Sequence, residues 1–167
     1  KNIFALQDEI IKKIINELVG AGAVLSKDIN KKIASTSTSD ISIYECINFA
    51  RGAVTPSLNP KAIECLEKSI KKDPNYADAW IWLADRKRAQ HSSFSMTNEF
   101  KYMLEEASKE IDRGLILDPE HAFGYSTKLQ IEFYKNNWQE MFNVAEKAYS
   151  LAGERPHLLG KIGYSLA

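Results

Sequence analysis

The stretch Ile63-Glu64-Cys65-Leu66-Glu67-Lys68-Ser69-Ile70-Lys71-Lys72-Asp73-Pro74 decides the fold, because it returns in altered form as Ser108-Lys109-Glu110-Ile111-Asp112-Arg113-Gly114-Leu115-Ile116-Leu117-Asp118-Pro119. In both copies small or apolar residues recur at i, i+3, i+4 and i+7, the spacing that gathers them on one face of an α-helix. Both helices are expected to stop at Asp-Pro, since proline cannot continue a helix and disfavours helical backbone in the residue before it. A small, a bulky and a second small residue precede each stop: Ala62, Leu66 and Ser69 before Pro74, then Ala107, Ile111 and Gly114 before Pro119. A weaker third copy reads Met141, Ala145, Ala148 and Gly153, with glycine where the others have proline.

Gly153 stands 34 residues after Pro119. The series resembles the second helix of the tetratricopeptide repeat (TPR), a helix pair of about 34 residues. That resemblance implies what the first helices should contain, namely Trp, Leu and a small residue at fixed places. After Pro74 they are present as Trp80, Leu83 and Ala84; upstream, Cys46, Phe49 and Ala50 take the same places. A fourth first helix follows Gly153 with Leu159, Ile162, Gly163 and Leu166. The third departs most, with Tyr125, Lys128 and Leu129, and a one-residue shift of register is left open there. Asn136-Asn137-Trp138 falls where such repeats turn between their helices.

The resemblance implies an all-α fold: a right-handed TPR superhelix of antiparallel helix pairs, about three and a half repeats. The repeats lie near 43–76, 77–121 and 122–155, with 156–167 a partial fourth. Small residues let paired helices approach closely, and bulky ones fill the space between neighbouring pairs.

Residues 1–34 read as an N-terminal amphipathic helix and connector. Ile10, Ile11, Ile14, Ile15 and Leu18 form one broad stripe, Gly20-Ala21-Gly22 ends it, and a short second helix covers Val24 to Ile33. Residues 35–40, Ser-Thr-Ser-Thr-Ser-Asp, are a polar linker expected to supply an N-cap for the first repeat. About 11 extra residues between Ala89 and Phe100 lengthen the second repeat. Either they form a tolerated loop with longer helices, or Phe94 and Met96 form a binding lip.

The opening Asn2-Ile3-Phe4-Ala5-Leu6-Gln7-Asp8-Glu9-Ile10 resembles the junction between a TolB-like α/β domain and a TPR array. Such junctions occur in bacterial class III nucleotide cyclases and winged-helix transcription regulators, and the likeness continues through Tyr44 to Pro74 and on to Trp138. It implies the C-terminal sensing or scaffolding part of a larger signalling or transcription regulator. Lys1 rather than Met opens the sequence, so a piece of a longer protein is expected.

Composition narrows the function classes. Twenty-two basic side chains balance twenty-two acidic ones, which leaves no net field to draw in nucleic acid or an anionic membrane. No apolar run approaches the roughly 20 residues of a membrane span. Cys46 and Cys65 are too few for a secreted disulfide framework, and both fall on inward faces. They are expected to be small core residues in a reducing compartment, which places the chain in the cytoplasm.

Nothing in the sequence has the spacing of a catalytic centre. His91, His121 and His157 are far apart and make neither HxxxH nor HExxH, so no metal is expected. Neither cysteine has a base placed beside it by sequence. The eight glycines mark helix ends and close packing rather than a phosphate cradle, so no cofactor is expected. The chain reads as a non-enzyme.

Binding is expected on the first helices, which line the concave face of a TPR array. The resemblance assigns to that face Tyr44, Asn48 and Arg51, then Trp82, Asp85 and Arg88. It adds Phe123, Ser126, Thr127, Gln130 and Phe133 from the third repeat, and His157, Lys161 and Tyr164 from the last. Aromatic and arginine side chains are what binding hot spots are usually made of. The same side chains also suit packing against a neighbouring repeat, the N-terminal helix or a second copy.

TPR domains that grip a C-terminal carboxylate carry Lys, Asn, Asn, Lys and Arg where this chain has Ile47, Arg51, Trp82, Phe123 and Thr127, so tail capture is not expected. The expected partner is a peptide or protein segment. The alternative is homodimerisation through the N-terminal helix and terminal repeat, with a small-molecule sensor third.

Overall fold

The computed structural model describes residues 41–52, 55–90, 97–153, 159–160 and 162–163. The expected N-terminal helices, the polar linker and the first part of the insertion lie outside these residues.

Among the described residues every regular element is a helix: α1 (Ile43–Gly52), α2 (Asn59–Lys72), α3 (Ala77–Arg88), α4 (Asn98–Leu117), α5 (Ala122–Tyr134) and α6 (Trp138–Ala152). Their ends follow local chemistry. Ser42 and Glu45 form a reciprocal cap on α1: Ser42 Oγ accepts from Glu45 N at 3.2 Å, and Glu45 Oε2 accepts from Ser42 N at 3.0 Å. The cap therefore comes from Ser42, just past the linker expected to provide it. α2 and α4 end as expected before Asp73-Pro74 and Asp118-Pro119, with each aspartate extended and its N–H bonded back to Ser69 O or Gly114 O. Thr97 caps α4 by accepting from Phe100 N at 3.1 Å. Asn136, at φ 57°, makes the turn into α6.

Consecutive helices pack in pairs, α1 with α2, α3 with α4 and α5 with α6, and each pair packs on the next. The first helices also touch across pairs, α1 with α3 and α3 with α5, whereas the second helices make no contact of that extent. The result is a two-layer array whose first helices are its more closely spaced layer.

Three apolar clusters run along the array, as expected where each pair buries its face only on its neighbours. Phe49, Leu66 and Leu83 centre the first. Ile81, Ile111 and Ile131 centre the second. Leu129, Met141 and Ala148 centre the third, where Ile162 also packs. The small residues mark close crossings. A Cβ on Gly114 would lie 2.5 Å from Ile81 Cγ1, and one on Gly124 would lie 2.8 Å from Leu115 Cδ2.

The cysteines correct one expectation. Both are core residues, but they are not separate thiols: Cys46 of α1 and Cys65 of α2 are joined as a disulfide, with Cα atoms 5.6 Å apart. A cysteine at the shrunken Trp place of α1 faces the small-residue stripe of α2, and the antiparallel crossing brings the two sulfurs together.

The candidate groove on the first helices

α3 carries the centre of the site. Residues 78, 82 and 85 are spaced i, i+4 and i+7, so Asp78, Trp82 and Asp85 share one helix face. Phe123 of α5 meets that face, and its ring stacks on Trp82 with centroids 4.3 Å apart and planes 22° from parallel. Arg51, from the last turn of α1, sets its guanidinium 5.6 Å from the Trp82 centroid. Arg86 lies 5.8 Å from the same ring. An electron-rich indole face between cations is a cation–π arrangement. Three successive first helices thus converge on one indole.

Charge around the stack is paired. Asp85, only 1 % exposed, accepts from Arg88 at 2.8 Å and also pairs with Arg86. Burial of an unpaired carboxylate would be costly, and two guanidiniums on one carboxylate offset that cost. Asp78 bonds His121 Nε2 at 2.7 Å and lies 3.8 Å from Arg51. Gly124 N donates to His121 Nδ1 at 3.0 Å, so Nε2 carries the proton and donates to Asp78. His121 therefore caps α5 with one nitrogen and ties α5 to α3 with the other. The Asp78 carboxyl is held below its ordinary range, first by the His121 hydrogen bond and further by the nearby Arg51 charge. Partial burial opposes them.

Several polar atoms on these helices are buried with no hydrogen bond: Trp82 Nε1, Arg88 Nε, Thr127 Oγ1 and Gln130 Oε1.

The expected groove residues divide accordingly. Arg51, Trp82, Asp85, Arg88 and Phe123 come together as described. Thr127 and Gln130 lie on the α5 face that continues from Phe123, at i+4 and i+7. Ser126 is fully buried and donates to Phe123 O at 2.9 Å. Phe133 stands apart, edge-to-face with Tyr134 and with Trp138. Tyr44 is 68 % exposed, and Asn48 donates back to the Tyr44 carbonyl. His157, Lys161 and Tyr164 lie outside the residues described.

Sequence reasoning missed three participants. Arg86 was readable as the neighbour of Asp85, but its reach to Trp82 was not. Asp78 and His121 are 43 residues apart, and only the fold joins them. Among the described residues, no group of three or more His, Cys, Asp or Glu could hold a metal ion. A cleft of roughly 230 Å³ at the end of α5, lined by Lys101, Leu104, Glu105, Tyr134, Lys135 and Asn136, contains none of the groove residues. No described helix is long and apolar enough to cross a membrane. The chain matches no protein-family model and no curated protein.

Proposed function

We propose that the chain is a non-catalytic protein–protein interaction scaffold that binds a peptide or protein segment along its first helices. Its helix pairs are read as a right-handed TPR superhelix of about three and a half repeats. By resemblance, it is the sensing or regulatory part of a larger bacterial signalling or transcription regulator in the cytoplasm. A cytoplasmic home sets a condition on the Cys46–Cys65 bond, which thiol buffers would open if they reached it. Both residues are at most 1 % exposed, and that burial is the protection the reading requires.

One observation carries the proposal: Arg51, Trp82 and Phe123, assigned to the groove from repeat register alone, meet at a single stack drawn from three helices. Aromatic and arginine side chains clustered at the centre of a face are the usual makings of a hot spot.

The test is to pan a random peptide library on the immobilised chain and on Trp82→Ala in parallel. Peptides enriched on the former should lose at least about tenfold in affinity on the latter. Peptides that bind both equally, or a library that yields no enrichment, would remove the groove as the binding face.

A further inference from the structure

Charge is distributed unevenly between the two layers of helices. α4, a second helix, exposes Lys101, Glu105, Lys109, Asp112 and Arg113. On the first helices α1, α3 and α5, Arg51 is the one charged residue that is exposed rather than buried or partly buried. Arg86 and Arg88 are 10 % and 13 % exposed at their side chains, and both are held by Asp85. Lys87 and Lys128 are turned to carboxylates of α4, Glu110 and Asp112. The layer that carries the Trp82 stack therefore shows solvent a surface poor in charge, with a single open cation beside the stack. Interface centres have this character: charged residues are depleted there, while arginine and aromatic residues are enriched.

Arg51 is also held ready and left unsatisfied. Its side chain is 50 % exposed, and its guanidinium lies 5.6 Å from the Trp82 centroid. A guanidinium set over an aromatic ring keeps its N–H groups in a rigid fork that matches a carboxylate, and less side-chain freedom is lost when one binds. The carboxylate beside it, Asp78, is 3.8 Å away, which is beyond hydrogen-bond reach. Asp78 is already engaged by His121 Nε2 at 2.7 Å, and His121 is fixed in turn by Gly124 N. The tie between α3 and α5 thus keeps Asp78 off the Arg51 fork.

We propose that the segment bound on the first helices presents one carboxylate side chain, an Asp or a Glu, to Arg51, and lays uncharged residues along the rest of the face. This inference rests on the groove reading above and names the chemistry of its partner. A carboxylate suits the place better than a phosphate. Asp78 is ionised at neutral pH and sits at the same guanidinium, so it repels the second charge of a dianion. The chain as a whole carries no net charge, so a preference for an acidic residue reports this place and not a general field.

Peptides enriched from a random library on the full chain, and lost on Trp82→Ala, should share one Asp or Glu among otherwise uncharged residues. Changing that residue to Asn or Gln should weaken binding about fivefold to tenfold on the parent, and less than about twofold on Arg51→Gln. Arg51→Lys keeps the charge without the fork and should recover only part of the difference. Lys101→Gln, which removes an exposed cation of α4, should leave the affinities unchanged. Phosphoserine in the acidic place should bind more weakly than the carboxylate. Trp82-dependent peptides with no common acidic residue would overturn the inference and leave the groove standing. So would equal losses on the parent and on Arg51→Gln, or tighter binding of the phosphoserine peptide. A library that yields no Trp82-dependent peptide would instead remove the groove, and this inference with it.

Discussion

Replacing Gly114 by alanine adds one methyl where α3 and α4 cross. On helix propensity alone the change should stabilise, by about 1 kcal/mol. The new Cβ would lie 2.5 Å from Ile81 Cγ1, 3.3 Å from Ile81 N and 3.3 Å from Trp80 Cβ. Carbon contacts are comfortable at about 3.5–4.0 Å, so the helices must part or Ile81 must move. Ile81 is fully buried within the second cluster, and the other two atoms are fixed to the backbone. Overpacking of this kind costs about 1–3 kcal/mol, and its upper half applies where the neighbours cannot yield. The net effect is a loss of about 1–2 kcal/mol, or roughly 2–8 °C in melting temperature for a chain of this size. Urea unfolding followed by circular dichroism measures it. A Gly114→Ala protein as stable as the parent, or more stable, would show that the pairs do not approach as closely as described.

Three further outcomes follow from local features. Reducing the Cys46–Cys65 bond reopens a loop of 19 residues and should cost about 3 kcal/mol, read from urea midpoints with and without a dithiol; two free thiols in the oxidised protein would refute the pairing. Gly153 has φ 55° and ψ −138°, a region essentially reserved for glycine, with open space around it. Gly153→Ala should therefore destabilise by about 1–3 kcal/mol through the backbone alone, and a neutral thermal melt would count against that conformation.

The Asp78–His121 tie predicts a pH dependence. The Asp78 pKa is lower folded than unfolded, so its contribution is complete above the unfolded value of about 3.9 and disappears as pH falls through the depressed folded value. The stability gap between the parent and Asp78→Asn, about 1 kcal/mol at neutral pH after screening, should close over that acidic window. A gap that does not change with pH would show that the carboxylate contributes nothing through its charge.

Helix boundaries were legible wherever backbone chemistry is local. Asp73-Pro74, Asp118-Pro119 and the Asn136-Asn137 turn all act within one or two residues, and all mark real ends. The third first helix was ambiguous because Lys128 occupies a leucine place. Leu129 is fully buried, and Lys128 is half-buried with Asp112 and Glu140 neutralising it at 2.9 and 3.5 Å. Those partners sit on the flanking helices, beyond the reach of a periodicity argument.

The insertion divides in the same way. Its later residues lengthen α4 to 20 residues against 14 in α2, burying Phe100 and Leu104, which propensity could suggest but not place. For the site, register assigned the faces of Arg51, Trp82 and Phe123. It could not foresee Asp78 with His121, nor that Asp85 would be buried between two arginines, because these depend on how successive pairs are stacked. The disulfide was misjudged for the same reason: composition argues about compartments, while bonding depends on which helix faces cross.

The chain's three tryptophans report on three different places, so one experiment separates the accounts. Trp82 lies in the groove stack, Trp80 donates to Pro74 O at the joint before α3, and Trp138 stands on the open face of α6. With isotope-labelled indole nitrogens, titration of a library-selected peptide should move the Trp82 resonance and leave Trp80 and Trp138 in place. A peptide that moves Trp138 and leaves Trp82 still would put the partner on the second-helix face and contradict the groove.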